Sequence, residues 1–469
     1  MSFSKTSLIL TGALCANLFT SANAAPGDKL VIEAGHIITQ AGEDIENGVI
    51  VVDNGRIVAI GAADAIERPW DAVVVGGPEY TVAPGFVEAL SWNGMDRPNE
   101  NLDVTPFLDV RDSIDPVHFY FEDCKRWGIT TINVQQGTNT VVAGQGRIVK
   151  PVGMTVEEMT VRPNFGHMIS LDPKSGKSRA TQRQTLRDAF RDLRRDLQDM
   201  VEGKRDDANT ARREAMAQGR EQDETKNPGR AMTGSGWKVD GLEMVDRSEI
   251  DAKLLPLLDM VEGRSYTFLY CGAPMDVQPA IDFARANGLA DRAALLIDDS
   301  CWKAADAIAA SGMPVILDSD LIHVETDPIT EEETETFVPK VFADKGIRFA
   351  LRSANSSTNS LWFQAALCVA NGMTREQALA AVTTSPASIL GLSKEIGSLE
   401  VGKAANVLLL TGDPLDVTSK VHQVVIDGAV IYDHTKDTRN RHLLQGEAPR
   451  GASAAETEEV EEPSKTDAE

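Results

Sequence analysis

The sequence predicts an α/β protein in which a TIM-type (β/α)8 barrel is joined to a β-sandwich built from both chain termini. Two observations predict this fold class. Short apolar strands alternate with helical stretches through the middle of the chain, a pattern typical of a parallel sheet with right-handed crossovers, over a length that suits eight units. Short strands separated by tight turns occur at both ends, and neither end is large enough for a core of its own.

Composition and charge narrow the class of protein. Of the 469 residues, 42% are hydrophobic, which is ordinary for a globular chain and excludes wholesale disorder or a fibrous repeat. The 46 lysines and arginines are outnumbered by 71 acidic residues, which leaves a net charge of −25. Because nucleic acids and anionic membranes attract basic surfaces, we expect neither as a partner.

The N-terminus has the pattern of a secretory signal peptide. Lys5 precedes a short apolar stretch that ends at Phe19, and a small-x-small site ends at Ala24. We therefore expect residues 1–24 to be cleaved and the protein to be secreted or periplasmic. The stretch is too short for a membrane anchor, and we expect none elsewhere. Cleavage would remove Cys15, and the four cysteines that remain are widely spaced, which predicts buried thiols instead of disulfides.

The predicted sandwich takes residues 25–83 from the first part of the chain and residues 391–447 from the last. Tight hairpin turns are indicated at Asn54-Gly55 and at Asp427-Gly428, because such dipeptides favour the turns that join antiparallel strands. Residues 448–469 are strongly acidic, and we predict a disordered, solvating tail.

The barrel is predicted over residues 84–390. Its candidate strands are apolar runs at residues 82–87, 129–134, 266–271, 294–298, 314–317 and 347–351. Its candidate helices are residues 276–287, 302–311 and 361–371. Residues 172–251 interrupt the alternation as a charged helical insertion, flexible around residues 202–237. Its apolar residues at helical spacing are Leu186, Phe190, Leu193 and Leu197. We expect a solvated surface helix, with a partner-binding arm as the alternative.

Motifs at both ends of the predicted barrel resemble those of one known family. The entrance carries Asn54-Gly55-Arg56-Ile57-Val58-Ala59-Ile60-Gly61 and then Val82-Ala83-Pro84-Gly85-Phe86-Val87-Glu88. The exit carries Thr383-Thr384-Ser385-Pro386-Ala387, Leu390-Gly391-Leu392 and Gly397-Ser398-Leu399-Glu400-Val401-Gly402-Lys403. In this order they resemble the amidohydrolase superfamily, in its imidazolonepropionase-like, secreted bacterial branch. The resemblance implies hydrolysis of non-peptide C–N bonds at a barrel mouth that holds zinc or another divalent metal.

The metal ligands that the resemblance implies are missing from their positions. Leu90 and Trp92 replace the His-x-His pair expected after the first barrel strand, and neither side chain can coordinate a metal. Cys271 stands where a strand is expected to end in histidine. Ala354 stands where the final aspartate, which commonly takes a proton from water, is expected. The resemblance thus implies a metal cofactor, whereas these four degenerate positions predict that it is absent.

Polar side chains remain just beyond the predicted strand ends, where barrel enzymes place their chemistry. Asp298, Asp299 and Asp318 are candidate catalytic acids and bases. Asp320 and His323 are candidate ligands of a single metal. The alternative is a set of solvated loop acids beside a structural histidine.

Two functions are consistent with these residues. The first is a secreted protein that has lost metal-dependent hydrolysis and serves as a binding protein for a small molecule, or as the partner subunit of an active relative. The second is an active hydrolase with a reduced or relocated metal or carboxylate site. Family analogy also suggests a homo-oligomer or an assembly with an active paralogue.

Overall fold

The computed structural model describes residues 29–218, 239–318, 320–353 and 360–439. The predicted signal peptide at residues 1–24 and the predicted acidic tail at residues 448–469 lie outside the described residues, as does Ala354. Within the described residues, no helix combines the length and apolar character needed to cross a bilayer.

Seven strands from both ends of the chain form one mixed sheet. They are β1 (Leu30–Ile37), β2 (Ile45–Asp53), β3 (Arg56–Ala62), β4 (Val73–Pro84), β17 (Val407–Leu410), β18 (Val421–Ile426) and β19 (Ala429–Asp433). Their order is β19-β18-β17-β4-β1-β2-β3, because the long β4 pairs with β1 along most of its length and with β17 at its end. The termini combine as predicted, but into one continuous sheet instead of a two-sheet sandwich.

Both predicted hairpin turns are confirmed. Asn54 and Gly55 join β2 to β3 with φ angles of +49° and +76°. Asp427 and Gly428 join β18 to β19 with φ angles of +50° and +77°. Asparagine, aspartate and glycine tolerate this left-handed backbone, which matches the twist of the flanking strands.

Two further sheets occupy the middle of the chain. Their strands are β5 (Phe86–Ser91), β6 (Ile129–Val134), β7 (Val142–Gln145), β8 (Arg147–Val149), β9 (Thr160–Arg162), β10 (His167–Ser170), β11 (Thr267–Cys271), β12 (Ala293–Ile297), β13 (Val315–Leu317) and β16 (Phe349–Leu351). One sheet has the order β16-β13-β12-β11-β10-β7, in which the first five strands are parallel neighbours. The other has the order β5-β6-β8-β9.

Ten α-helices lie between these strands in the described residues. They are α1 (Phe119–Arg126), α2 (Val156–Met159), α3 (Arg179–Ala217), α4 (Leu255–Val261), α5 (Pro274–Ala286), α6 (Ala305–Ser311), α7 (Val338–Asp344), α8 (Leu361–Ala370), α9 (Arg375–Ala380) and α10 (Thr384–Ile389). An antiparallel hairpin of β14 (Ile322–Thr326) and β15 (Glu333–Phe337), which was not predicted, follows β13.

The two central sheets approach each other at both edges. On one side the chain passes from β7 to β8 through Gly146, and so from one sheet to the other. On the other side Leu351 N–H donates to the Ala381 carbonyl at 3.0 Å, and Val87 N–H donates to the Val382 carbonyl at 2.9 Å. The hydrogen bonds nevertheless divide the strands between two sheets, and β7 and β8 are antiparallel to their neighbours. A closed barrel of eight parallel strands therefore stays a prediction.

The charged stretch after β10 forms the long helix α3. Ser178 caps its first turn by accepting a hydrogen bond from Thr181 N–H. The four apolar residues predicted from helical spacing are buried against the core, whereas most other side chains of α3 are exposed. The helix therefore lies on the surface with one buried face, as the crossover from β10 to β11. Residues 202–217, in the stretch predicted to be flexible, continue the helix. Residues 219–238 lie outside the described part of the chain.

Alternation along the parallel strands sorts their side chains into two layers. One face of β11, β12, β13 and β16 contributes to an inner apolar cluster, with Phe268, Leu296, Ile316 and Ala350. The opposite face packs against helices in an outer cluster, with Leu269, Ile297, Leu317 and Leu351. The next position on the inner face of each strand lies at or just past its carboxyl end, and these positions build the candidate site.

Candidate functional site

A layer of polar side chains covers the inner apolar cluster at the carboxyl ends of four neighbouring strands. Counting two residues on from each inner apolar residue gives its members, Tyr270, Asp298, Asp318 and Arg352. We call these four residues the polar layer. They come together because parallel strands place their carboxyl ends at one edge of a sheet.

Asp298 is the carboxylate held at the centre of this layer. The Tyr270 hydroxyl donates to its two oxygens at 3.1 and 3.0 Å. Burial, with a further contribution from the nearby Asp318 carboxylate, raises the pKa of Asp298 to about 6. Asp298 therefore gains or loses its proton close to neutral pH, which is the range in which general acid–base groups act.

Arg352 supplies the positive charge of the polar layer. Its side chain is only 1% exposed, its Nη1 lies 3.3 Å from the Asp318 carboxylate, and its guanidinium lies 3.6 Å from the centre of the Trp92 ring. Within the described residues, its Nε and Nη1 atoms are buried without a hydrogen-bond acceptor. The ion pair and the cation–π contact are thus what offset the burial of this charge.

Glu88 is a second buried acid, on β5, beside the polar layer. It is fully buried, and the backbone N–H of Ser353 donates to its two carboxylate oxygens at 3.1 and 3.0 Å. The Ser353 hydroxyl donates to the same carboxylate. Burial raises the pKa of Glu88 to about 7, although Ser353 and the charge of Arg352 act in the opposite direction. Glu88 thereby links β5 to the residues that follow β16.

The structure brings together only some of the residues singled out from the sequence. Asp298 and Asp318 both belong to the polar layer, as predicted for neighbouring strand ends. Asp299 instead forms a hydrogen bond with His323, whose Nδ1 lies 2.9 Å from the Asp299 carboxylate. Asp299 and Asp320 line a separate pocket of about 430 Å³ under β14. The candidate acids are therefore divided between two neighbouring places.

The four degenerate ligand positions also have distinct surroundings. Leu90 is fully buried in the inner apolar cluster, and Trp92 packs against that cluster beneath Arg352. Cys271 is on the outer face of β11, so the inner position at this strand end belongs to Tyr270. Ala354 lies outside the described residues.

The donor atoms present do not fit the metal site that the family implies. Among the described residues, no group of three or more His, Cys, Asp and Glu side chains is placed to hold a metal ion. Residues 354–359, which follow the polar layer, contain none of these residue types. At the carboxyl end of β16 a guanidinium instead lies against Asp318.

Sequence reasoning missed Glu88, Tyr270 and Arg352 as site residues. A signal for Glu88 was present, because a single acid stands within the apolar run of β5. Arg352 likewise follows directly after the apolar strand β16. Their partners were not visible, because Glu88 and Ser353 are 265 residues apart in the chain.

Comparisons with known proteins agree with the fold. A family model described as the amidohydrolase family matches residues 271–432. An imidazolonepropionase from Sphingopyxis alaskensis is 37% identical over 107 residues, which are 20% of this chain and 27% of that protein. An imidazolonepropionase from Shouchella clausii is 30% identical over 123 residues, which are 23% of this chain and 28% of that protein. The matches to curated relatives span only 10% to 28% of their length.

A solved structure, that of an amidohydrolase from Thermotoga maritima MSB8, is similar over most of the chain. Its TM-score is 0.65 at 22% sequence identity, over 86% of this chain and 100% of that one. The match over residues 271–432 supports the amidohydrolase superfamily, and the solved structure shows a similar fold. The matches to imidazolonepropionases are similarities over about a quarter of those proteins.

Proposed function

We propose that this protein is an amidohydrolase-fold binding protein that has lost metal-dependent hydrolysis and holds a small polar molecule at the carboxyl ends of its parallel strands. The family resemblance suggests C–N hydrolysis as the ancestral activity. We propose further that the two central sheets make up a TIM-type barrel, supported by the parallel order from β10 to β16 and by the contacts of Ala381 and Val382 with both edges.

The position of Arg352 is the observation that carries this proposal. A metal ion at the strand ends would be a divalent cation among carboxylates. In this chain a fixed, buried guanidinium neutralises Asp318 at 3.3 Å, and a tryptophan covers its other side. Because arginine does not lose its proton in proteins, a metal beside it would face constant electrostatic repulsion. The same charge, with Asp298 and Tyr270, suits the binding of a polar molecule.

A metal analysis tests the first half of the proposal. The full-length protein is expressed with added zinc, and its metal content and melting temperature are measured with and without a chelator. We expect zinc well below one equivalent and no change in melting temperature. Stoichiometric zinc that is lost in the Asp318→Ala variant would contradict the proposal.

A ligand screen tests the second half. The thermal shift of the protein is measured against a library of small polar molecules, and each hit is repeated with Asp298→Asn and with Arg352→Met. The matched control is Arg375→Met. This variant removes an exposed arginine of α9 that is paired with Asp413. We expect hits to be lost in the first two variants and retained in the control. Hits that survive both site variants would place binding elsewhere.

One observation favours a second candidate function, hydrolysis by carboxylates alone. The pKa of Asp298, raised to about 6, suits a general base or acid, and Asp318 is its neighbour. Amide hydrolysis by chelator-treated protein, abolished in Asp298→Asn, would support this candidate over the binding protein.

Location and partners belong to the same proposal. We infer that residues 1–24 are removed and that the protein acts outside the cytoplasm, alone, as a homo-oligomer or with an active paralogue. N-terminal sequencing of protein from the native host is expected to begin at Ala25. Native mass spectrometry of the same preparation reports its assembly.

A further inference from the structure

A polar cavity lies at the opposite, amino-terminal ends of the same parallel strands. Its volume is about 580 Å³, and three arginines line it, Arg162, Arg292 and Arg348, with Asp291 as its acidic side chain. Two of these arginines immediately precede strands, Arg292 before β12 and Arg348 before β16. Tyr266, which immediately precedes β11, also lines the cavity.

Backbone hydrogen bonds fix this row of residues at one edge of the sheet. The Tyr266 carbonyl accepts from His167 N–H at 2.9 Å, and the Arg348 carbonyl accepts from Val315 N–H at 3.0 Å. These residues precede parallel strands of one sheet and line one cavity, so their side chains face a common space without any rearrangement of the fold.

The cations of the cavity are poorly neutralised for so acidic a protein. Arg162 is paired with Glu395 at 2.7 Å. Within the described residues, the guanidinium of Arg292 makes no hydrogen bond or ion pair, and Arg348 contacts only the Ser388 hydroxyl, at 3.3 Å. The chain as a whole has a net charge of −25, yet the lining carries three cations and one carboxylate. Because Glu395 already neutralises Arg162, Arg292 and Arg348 outnumber Asp291 by one positive charge, which favours an anion.

A second, independent feature of the cavity is its aromatic lining, in which Tyr266 supplies a hydroxyl group and Phe165 a second ring. Burial raises the pKa of Tyr266, and the charges of Arg292 and Arg348, which line the same cavity, act in the opposite direction. Its hydroxyl makes no hydrogen bond to any described residue. Phe165 stacks on Tyr266 with centroids 5.6 Å apart and an angle of 14° between the rings.

We propose that this cavity binds an oxyanion, either a phosphate ion or the phosphoryl group of a small organic molecule. Arginine donors match the geometry of phosphate oxygens, and the Tyr266 hydroxyl adds a neutral donor. The volume exceeds what a single phosphate ion fills, and the stacked rings offer an apolar surface to an organic body. The site is at the other end of the strands from the polar layer, so it is independent of the function proposed above.

The simplest alternative is that the arginines only interact with helix ends. The last residues of α6 and α10 line the same cavity, and the partial negative charge of a helix C-terminus attracts cations. In that case removal of the arginines would lower stability and leave anion binding unchanged.

Calorimetric titration of the full-length protein with inorganic phosphate, at constant ionic strength against chloride, tests the proposal. We expect saturable binding at one site, weakened about tenfold or more for each arginine in Arg292→Gln, Arg348→Gln and the double variant. Tyr266→Phe is expected to weaken it about threefold to tenfold. The control Arg191→Gln removes an exposed arginine on α3 and leaves affinity unchanged.

The outcomes separate the possible sources of the anion. Tighter binding of a phosphomonoester than of inorganic phosphate would identify an organic phosphate as the ligand, and equal binding would identify the free ion. No saturable binding of either, or equal affinity in the double variant, would overturn the proposal. Arg292 and Arg348 are exposed and Tyr266 is half-buried, so the variants at these positions are expected to fold. Their melting temperatures in chloride check this.

Discussion

The buried side chains of Glu88 and His167 make opposite contributions to the pH dependence of stability. Measuring each contribution by itself tests how burial shifts the pKa of these two groups. Burial raises the pKa of Glu88 from 4.5 to about 7. Burial lowers the pKa of His167 from 6.5 to about 4, although the Ala143 carbonyl near its Nδ1 acts in the opposite direction. Each shift is 2.5 pH units, which at about 1.4 kcal/mol per unit is about 3 kcal/mol.

The signs follow from which state holds the proton. Between pH 4.5 and 7 folded Glu88 keeps a proton that the unfolded chain has lost, so its contribution to stability is lost as pH rises. Between pH 4 and 6.5 unfolded His167 holds a proton that the folded state excludes, so stability is lost as pH falls. The two slopes nearly cancel between pH 4.5 and 6.5, and the wild-type free energy of unfolding is expected to show little net slope from this pair.

Single substitutions remove one slope and expose the other. In Glu88→Gln the free energy of unfolding, relative to wild type, is expected to rise by about 3 kcal/mol between pH 4.5 and 7. In His167→Gln the relative free energy is expected to fall by a similar amount between pH 4 and 6.5. The matched control is Glu43→Gln, at an exposed loop position.

Urea unfolding at half-unit pH intervals, followed by tryptophan fluorescence, measures these differences. A difference between wild type and Glu88→Gln that stays constant within about 1 kcal/mol across this range would refute the assignment of Glu88 as a buried, protonated acid.

Three further predictions concern packing and pairing. Leu193→Ala on the buried face of α3 is expected to lower the free energy of unfolding by about 2–5 kcal/mol, against less than about 0.5 kcal/mol for Glu202→Ala on its exposed face, both measured by urea unfolding. Asp276→Asn is expected to lower it by about 3–5 kcal/mol, because this fully buried carboxylate pairs with Arg179 and Arg183. Thermal unfolding of Arg179→Met and Arg183→Met checks that the loss of stability in Asp276→Asn depends on these ion pairs. A loss below about 1 kcal/mol in Asp276→Asn would contradict the prediction. In protein that lacks residues 1–24, a thiol reagent is expected to label the folded state slowly and the urea-unfolded state at once, because the remaining thiols are free and buried at Cys124, Cys271, Cys301 and Cys368.

The prediction of the fold succeeded where the pattern is local. The strand at residues 129–134 and the turns at Asn54-Gly55 and Asp427-Gly428 are found where apolar runs and turn residues indicate them. The buried face of α3 follows the spacing of four apolar residues. These features depend on neighbours in sequence, which alternation and turn preference describe directly.

The candidate site was only partly predictable, because strand phase decides which side chains face inwards. The pattern pointed to Cys271, whereas the pairing of β11 turns Tyr270 to the inner face. A shift of one residue exchanges the two faces of a strand, and the apolar run of β11 does not fix that phase by itself.

The sequence by itself indicated the resemblance to one family, the two hairpin turns and the residue types at the positions where that family places metal ligands, since these depend on which residues follow one another. Only the tertiary structure decided that Arg352 lies between Asp318 and Trp92 and that Glu88 is bound by Ser353. The tertiary structure alone also gathered the arginines at the amino-terminal ends of the strands into one cavity. The physical reason is that charges interact according to their distance in space. Here, residues far apart in the sequence come close because parallel strands place their ends at the same edge of a sheet.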